Sequence, residues 1–136
     1  MEKNVIITGA SSGIGMKTAC RLMDDGWCVY AIGRTFESDK SEENDWTEEK
    51  KAEVSQKNAG KIIKIVCDIT DTGMLARVIK QVNKNHDIKL LINNAGTAYY
   101  GLHEELNAAK ISRMVRTNLE APMIICNLLL RDLKKN

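Results

Sequence analysis

No apolar run in this 136-residue sequence approaches the length of a bilayer-spanning helix, and Val5–Ile7 is far too short for the core of a signal peptide. A cytosolic, cytoplasmic protein is therefore expected. No Cys-x-x-Cys pair joins Cys20, Cys28, Cys67 or Cys126. Reduced thiols, most of them small buried hydrophobes, are expected rather than disulfides or a metal site. No broad positive field is present either, since 20 Lys and Arg against 18 Asp and Glu leave a net charge of +2. That argues against nucleic acid as a partner. Repeats and low-complexity tracts are lacking too. What remains, 43% hydrophobic and 28% charged residues, is the balance of a globular chain. It suffices for one modest core and is too short for two ordinary domains, so residues 1–136 are expected to form a single domain.

The stretch Val5-Ile6-Ile7-Thr8-Gly9-Ala10-Ser11-Ser12-Gly13-Ile14-Gly15 organises the rest. A short β-branched run stops at Thr8, small residues follow, and from Met16 an apolar spacing of helical type begins with Met16, Ala19, Cys20 and Met23. The order is strand, tight glycine turn, helix. A helix start leaves backbone N–H groups without partners and carries partial positive charge, so an anion can sit there if no Cβ keeps it away. Gly9 permits the sharp turn, Gly13 permits close approach, and Gly15 lets the helix pack tightly on the strand. The hydroxyls of Ser11 and Ser12 can add hydrogen bonds to phosphate oxygens. A dinucleotide diphosphate is the expected ligand. A P-loop is excluded, because no Gly-Lys-Ser/Thr follows to hold a phosphate and a metal.

Asp25-Gly26 reads as a helix stop, and Trp27–Ile32 as a second buried strand. In dinucleotide folds the residue about 20 positions past the glycine turn selects the cofactor. An acid there accepts hydrogen bonds from a ribose 2′-OH and repels a 2′-phosphate. This sequence places Gly33-Arg34-Thr35 at that point and no acid before Glu37. Arg34 can hold a phosphate bidentately and Thr35 can add a hydroxyl, which favours NADP(H) over NAD(H); the alternative is an ordinary exposed loop arginine.

A polar stretch from Glu37 to Gly60 reads as a solvated loop leading into an exposed helix at about Thr47–Asn58. Lys61–Cys67 forms a third strand, after which Thr70 or Asp71 is placed to cap a helix carrying Met74, Leu75, Val78, Ile79 and Val82 to about Asn85. Asp68, at a strand's carboxyl end, can accept a hydrogen bond from an adenine amino group; a cap is its alternative role. His86-Asp87 at the helix end fits free carbonyls better than catalysis. Ile88–Ile92 is a fourth strand running into Asn93-Asn94-Ala95-Gly96, where buried amides can tie loops together and a small pair leaves room for a ligand. A further helical pattern begins near Glu105.

Thr8-Gly9-x-x-x-Gly13-Ile14-Gly15, Asp68 and Asn93-Asn94-Ala95-Gly96, in this order and covering essentially the whole chain, resemble the short-chain dehydrogenase/reductase family of the classical kind. The resemblance implies a Rossmann-type α/β fold with a doubly wound parallel sheet in three α/β/α layers, here truncated after about four strands. It implies NAD(P)(H) and hydride transfer between an alcohol and a carbonyl, the small-molecule substrate. It implies that Asn93, Ala95 and Gly96 line the riboses, that Asp68 and Ile69 flank adenine, and that Arg34 matches NADP-preferring members. Asn118 matches the asparagine of the family's catalytic set, whose main-chain carbonyl helps hold a water in a proton relay. Pro122, four residues on, has no N–H. A helix crossing this point is therefore expected to kink and leave that carbonyl to water. Beyond it, Ile124, Ile125, Leu128, Leu129, Leu130 and Leu133 wrap the helix in apolar surface. A second apolar contact is expected there, and family members pair such helices across a homo-oligomer interface.

The family's catalytic serine and Tyr-x-x-x-Lys pair have no match here: Tyr30 is followed four positions on by Arg34, Tyr99 by His103 and Tyr100 by Glu104. General acid–base groups of this kind contribute about 10²–10⁴-fold. The 136 residues alone are expected to be a poor catalyst or none. A truncated family member is favoured over a split protein or a half-domain. The competing function is a non-catalytic NADP(H)-binding or dimerisation module.

Overall fold

A computed structural model describes residues 2–36 and 60–135. The helix expected at about 47–58 lies outside them. Four parallel strands, β1 (Asn4–Thr8), β2 (Cys28–Gly33), β3 (Lys61–Val66) and β4 (Ile88–Ile92), form one sheet in the order β3-β2-β1-β4. Helix α1 (Gly13–Asp24) follows β1 and α2 (Thr72–Asn85) follows β3. After β4 and a single 3-10 turn at His103–Glu105 comes one long helical stretch: α3 (Ala108–Val115), a π-helical segment (Arg116–Glu120) and α4 (Ala121–Leu133).

β1 lies between two neighbours and is covered on both faces, which is why its sequence reads as an unbroken β-branched run. Val5, Ile6 and Ile7 are all fully buried. Alternate side chains serve opposite layers. Val5 and Ile7 join Val29, Ala31 and Ala19 on the α1 side, while Ile6 joins Tyr30, Ile32, Leu75, Ile79, Ile125 and Leu129 under α2 and α4. Each such aliphatic side chain contributes about 1.5–3 kcal/mol by its burial. A hydrogen bond from Asn83 Nδ2 to Asp132 Oδ2 at 2.6 Å ties α4 to α2. On β3, at one edge of the sheet, Lys61 and Lys64 are exposed, the usual means of blunting an edge.

Local signals set the element ends. Gly26, at φ 83°, closes α1 with its N–H on Met23 O and the Trp27 N–H on Leu22 O, the paired bonds of a Schellman stop. Asp71 caps α2, accepting from the Met74 N–H at 3.0 Å. The helix expected from Glu105 begins at Ala108 instead, because Asn107 takes the cap by accepting from the Lys110 N–H at 2.9 Å.

Two expectations are corrected. Of the cysteines, only Cys67 is buried; Cys28 is half-buried, and Cys20 and Cys126 are exposed on the solvent sides of their helices. The strand expected from Trp27 starts at Cys28. The expected irregularity before Pro122 takes a definite form. The helix widens to a π segment in which the Ala121 N–H bonds Arg116 O, five residues back, and Pro122 falls in the first turn of α4.

Candidate functional site

The helix after β1 packs on one face of the sheet and α4, after β4, on the other, so a crevice opens beyond the carboxyl ends of these strands. The turn after β1 borders it. Thr8, almost fully buried, accepts at Oγ1 from the Asn94 N–H (3.2 Å) and the Ala95 N–H (3.1 Å). Asn94 Nδ2 donates in return to Thr8 O (3.2 Å) and Gly9 O (3.1 Å). The second amide of Asn93-Asn94 is thus the tie between the β1 and β4 loops. Gly9 has φ 65°, and a Cβ there would stand 2.7 Å from Ala95 Cα. A Cβ on Gly15 would collide with the Gly9 carbonyl oxygen, so helix and turn meet backbone to backbone.

Gly13 differs from both. Its φ is 56°, and a Cβ placed on it would meet nothing within 4 Å. Ser12, at the N-cap, makes no side-chain cap bond, so its hydroxyl leaves the first-turn N–H groups of α1 to another acceptor. Ile14 beside it is 78% exposed.

A cleft of about 270 Å³ runs from this turn across the strand ends. Gly9, Ser11 and Ser12 line it from the turn, Gly33 and Arg34 from the end of β2, Cys67, Asp68 and Ile69 from beyond β3, and Ala95, Gly96 and Thr97 from beyond β4. Gly13, Gly15, Ile14, Thr35, Asn93 and Asn118 are outside the lining. Thr35 is exposed directly after Arg34. Asn93 is exposed and directs Nδ2 toward Cys126 Sγ at 3.6 Å. Asn118 is exposed too, and its side chain holds Thr97: Nδ2 donates to Thr97 O and Oδ1 accepts from the Thr97 N–H, both at 2.8 Å.

Asp68 is not a helix cap. Its Oδ1 accepts from the Thr70 N–H (3.0 Å) and the Thr70 hydroxyl (2.8 Å), and its Oδ2 lies 3.6 Å from the Arg113 guanidinium. Partial burial pushes its carboxyl up, but the Thr70 hydrogen bonds and the charges of Arg113 and Arg34 outweigh this and hold it below the ordinary carboxylate range. Burial pushes the Cys67 thiol up, helped by Asp71 and Asp68, which disfavours its thiolate. No cluster of metal-ligating side chains occurs among the described residues. The sequence reading missed Arg113 and Thr117, one turn apart on the long helix, which form the remaining wall of the cleft. Their i, i+4 spacing was the available signal, but which helix face meets the cleft depends on packing.

A parallel β3-β2-β1-β4 sheet with a glycine turn opening a helix at the point of reversal defines a Rossmann-type nucleotide-binding architecture. The chain belongs to the short-chain dehydrogenase family, whose model, described as short chain dehydrogenase, matches residues 3–136. It is 29% identical over 132 residues to the 3-ketodihydrosphingosine reductase of Bacteroides thetaiotaomicron, covering 96% of this chain and 42% of that protein. It is 32% identical over 129 residues to the ketoacyl reductase HetN of Nostoc sp., covering 94% of this chain and 42% of that one. The chain thus spans less than half the length of these relatives. Among solved structures, an alcohol dehydrogenase from the archaeon Thermococcus sibiricus, complexed with 5-hydroxy-NADP, superposes with a TM-score of 0.78 at 26% identity, over 99% of this chain and 55% of that one. A short-chain dehydrogenase from Sphingobium yanoikuyae in complex with NADPH gives 0.75 at 26% identity, over 98% and 49%.

Proposed function

We propose that residues 1–136 form the cofactor-binding part, a single domain, of a cytoplasmic NADP(H)-dependent oxidoreductase that interconverts an alcohol and a carbonyl compound. The observation that carries this reading is a cleft lined by the glycine turn, through Gly9, Ser11 and Ser12 at the start of α1, and by Arg34, with open space at the neighbouring Gly13. The helix start suits a diphosphate, and the guanidinium suits a 2′-phosphate. Complexes of related structures with NADPH and an NADP derivative support the same cofactor.

In this reading Gly9, Ser11, Ser12, Gly13, Ile14 and Gly15 hold the diphosphate. Arg34 and Thr35 hold the 2′-phosphate. Asp68 and Ile69 take the adenine, and Asn93, Ala95 and Gly96 border the riboses. When bound, the nicotinamide supplies or accepts the hydride. Asn118 keeps its role in a proton relay through its main-chain carbonyl, at a point where the helix is already widened and Pro122 offers no N–H. Its side chain meanwhile fixes the loop after β4. In this reading the acid–base work falls to the family's serine and Tyr-x-x-x-Lys pair, and no Tyr-x-x-x-Lys spacing occurs within these 136 residues.

A second reading, a non-catalytic NADP(H)-binding or dimerising module, draws on one feature. Ile111, Val115, Leu119, Met123 and Leu130 are exposed along the long helix, a stripe suited to a second copy. NADPH oxidation with carbonyl substrates separates the two readings. Turnover only in a form that carries the tyrosine–lysine pair supports the enzyme, and NADPH binding without turnover in that form too supports the module.

A further inference from the structure

Among the described residues, three ion pairs join near neighbours in sequence: Arg21 with Asp25, Lys89 with Asp87, and Lys135 with Asp132. Arg113 with Asp68 is different, because it links the long helix to the loop after β3 and both partners line the cleft. The two oxygens of Asp68 are not equivalent. Oδ1 is engaged by both donors of Thr70, at 2.8 and 3.0 Å. Oδ2 faces Arg113 at 3.6 Å, well beyond a close charge-assisted bond, and so keeps acceptor capacity. The side chains are 32% and 39% exposed, within reach of a ligand. Ile69, next in sequence, is largely buried and also borders the cleft.

We propose that Arg113 is a positioning residue for base recognition, holding Asp68 Oδ2 where it accepts the exocyclic amine of adenine and repels a 6-oxo purine. This rests on the NADP(H) reading above. With Thr70 bonded to one oxygen and the guanidinium charge 3.6 Å from the other, the carboxylate is oriented from two elements at once. Neither contact alone prevents the group from turning about its remaining bond. A 6-amino group donates to the fixed Oδ2, whereas a 6-oxo group sets lone pairs against a carboxylate, and discrimination follows from the unmade bond.

The test is fluorescence titration with NADPH and with its hypoxanthine counterpart, which has the same charge and nicotinamide but a 6-oxo purine. The wild type is expected to bind NADPH about tenfold more tightly. Arg113→Met, with its fold checked by circular dichroism, is expected to bring the ratio to about twofold or less, and Arg113→Lys to restore part of it. Equal weakening of both ligands by Arg113→Met, an unchanged ratio, or no discrimination in the wild type overturns the inference and leaves the NADP(H) reading standing. Absence of saturable binding of either dinucleotide to the folded wild type overturns that reading and this inference with it.

Discussion

Asn118 and Thr97 exchange two hydrogen bonds, Nδ2 to the Thr97 carbonyl and the Thr97 N–H to Oδ1, each 2.8 Å long. A side chain on the π-helical segment thereby fixes the backbone of the loop after β4, one residue past Gly96. Removing both bonds in Asn118→Ala is expected to cost about 1–2 kcal/mol in a denaturant titration. Asn118→Asp keeps the acceptor, loses the donor, and should fall between. A variant as stable as the wild type would show that the clamp contributes nothing.

Gly15 occupies packing space, whereas a Cβ on Gly13 would enter open space. Gly15→Ala drives a Cβ into the Gly9 carbonyl, and should destabilise the fold by about 1–3 kcal/mol or more. Gly13→Ala meets no atom, so its stability cost is confined to the left-handed backbone, about 1–2 kcal/mol. Its Cβ nevertheless occupies the proposed diphosphate position, and NADPH affinity should drop by about tenfold or more in a folded protein. Paired melting curves and NADPH titrations check both statements.

Acid sensitivity should report Asp68. Its carboxyl is held below the ordinary value of 3.8, since the Thr70 bonds and the Arg113 and Arg34 charges outweigh burial. The unfolded chain therefore binds the proton first as pH falls. The contribution to stability is complete above the unfolded value and is lost as pH drops through the folded one. Chemical denaturation between about pH 2 and pH 6 should show a flatter acid limb for Asp68→Asn than for the wild type. Parallel limbs would contradict it.

Much of the scaffold was legible because short-range chemistry decides it. Val5-Ile6-Ile7 announces a strand covered on both faces, Gly26 ends α1, and Asp71 caps α2. The order of glycine turn, Asp68 and Asn93-Asn94-Ala95-Gly96 likewise pointed to the family that the chain belongs to. What failed depends on how helices rotate against the sheet. Cys20 and Cys126 fall on outer faces, and Asn107 wins the cap from the residues near Glu105. Arg113 meets Asp68 only once α3 lies over the strand ends, a placement that no local pattern records.

The central claim is that α1's opening turn holds the bridging diphosphate of NADP(H) and Arg34 its ribose 2′-phosphate. Isothermal titration of the wild type and of Arg34→Glu with NADPH and NADH tests it most directly. The account predicts saturable NADPH binding that weakens by about tenfold or more in Arg34→Glu, with NADH binding unchanged or improved. An Arg34→Glu variant that binds NADPH as the wild type does, or a folded wild type that binds neither, would contradict it.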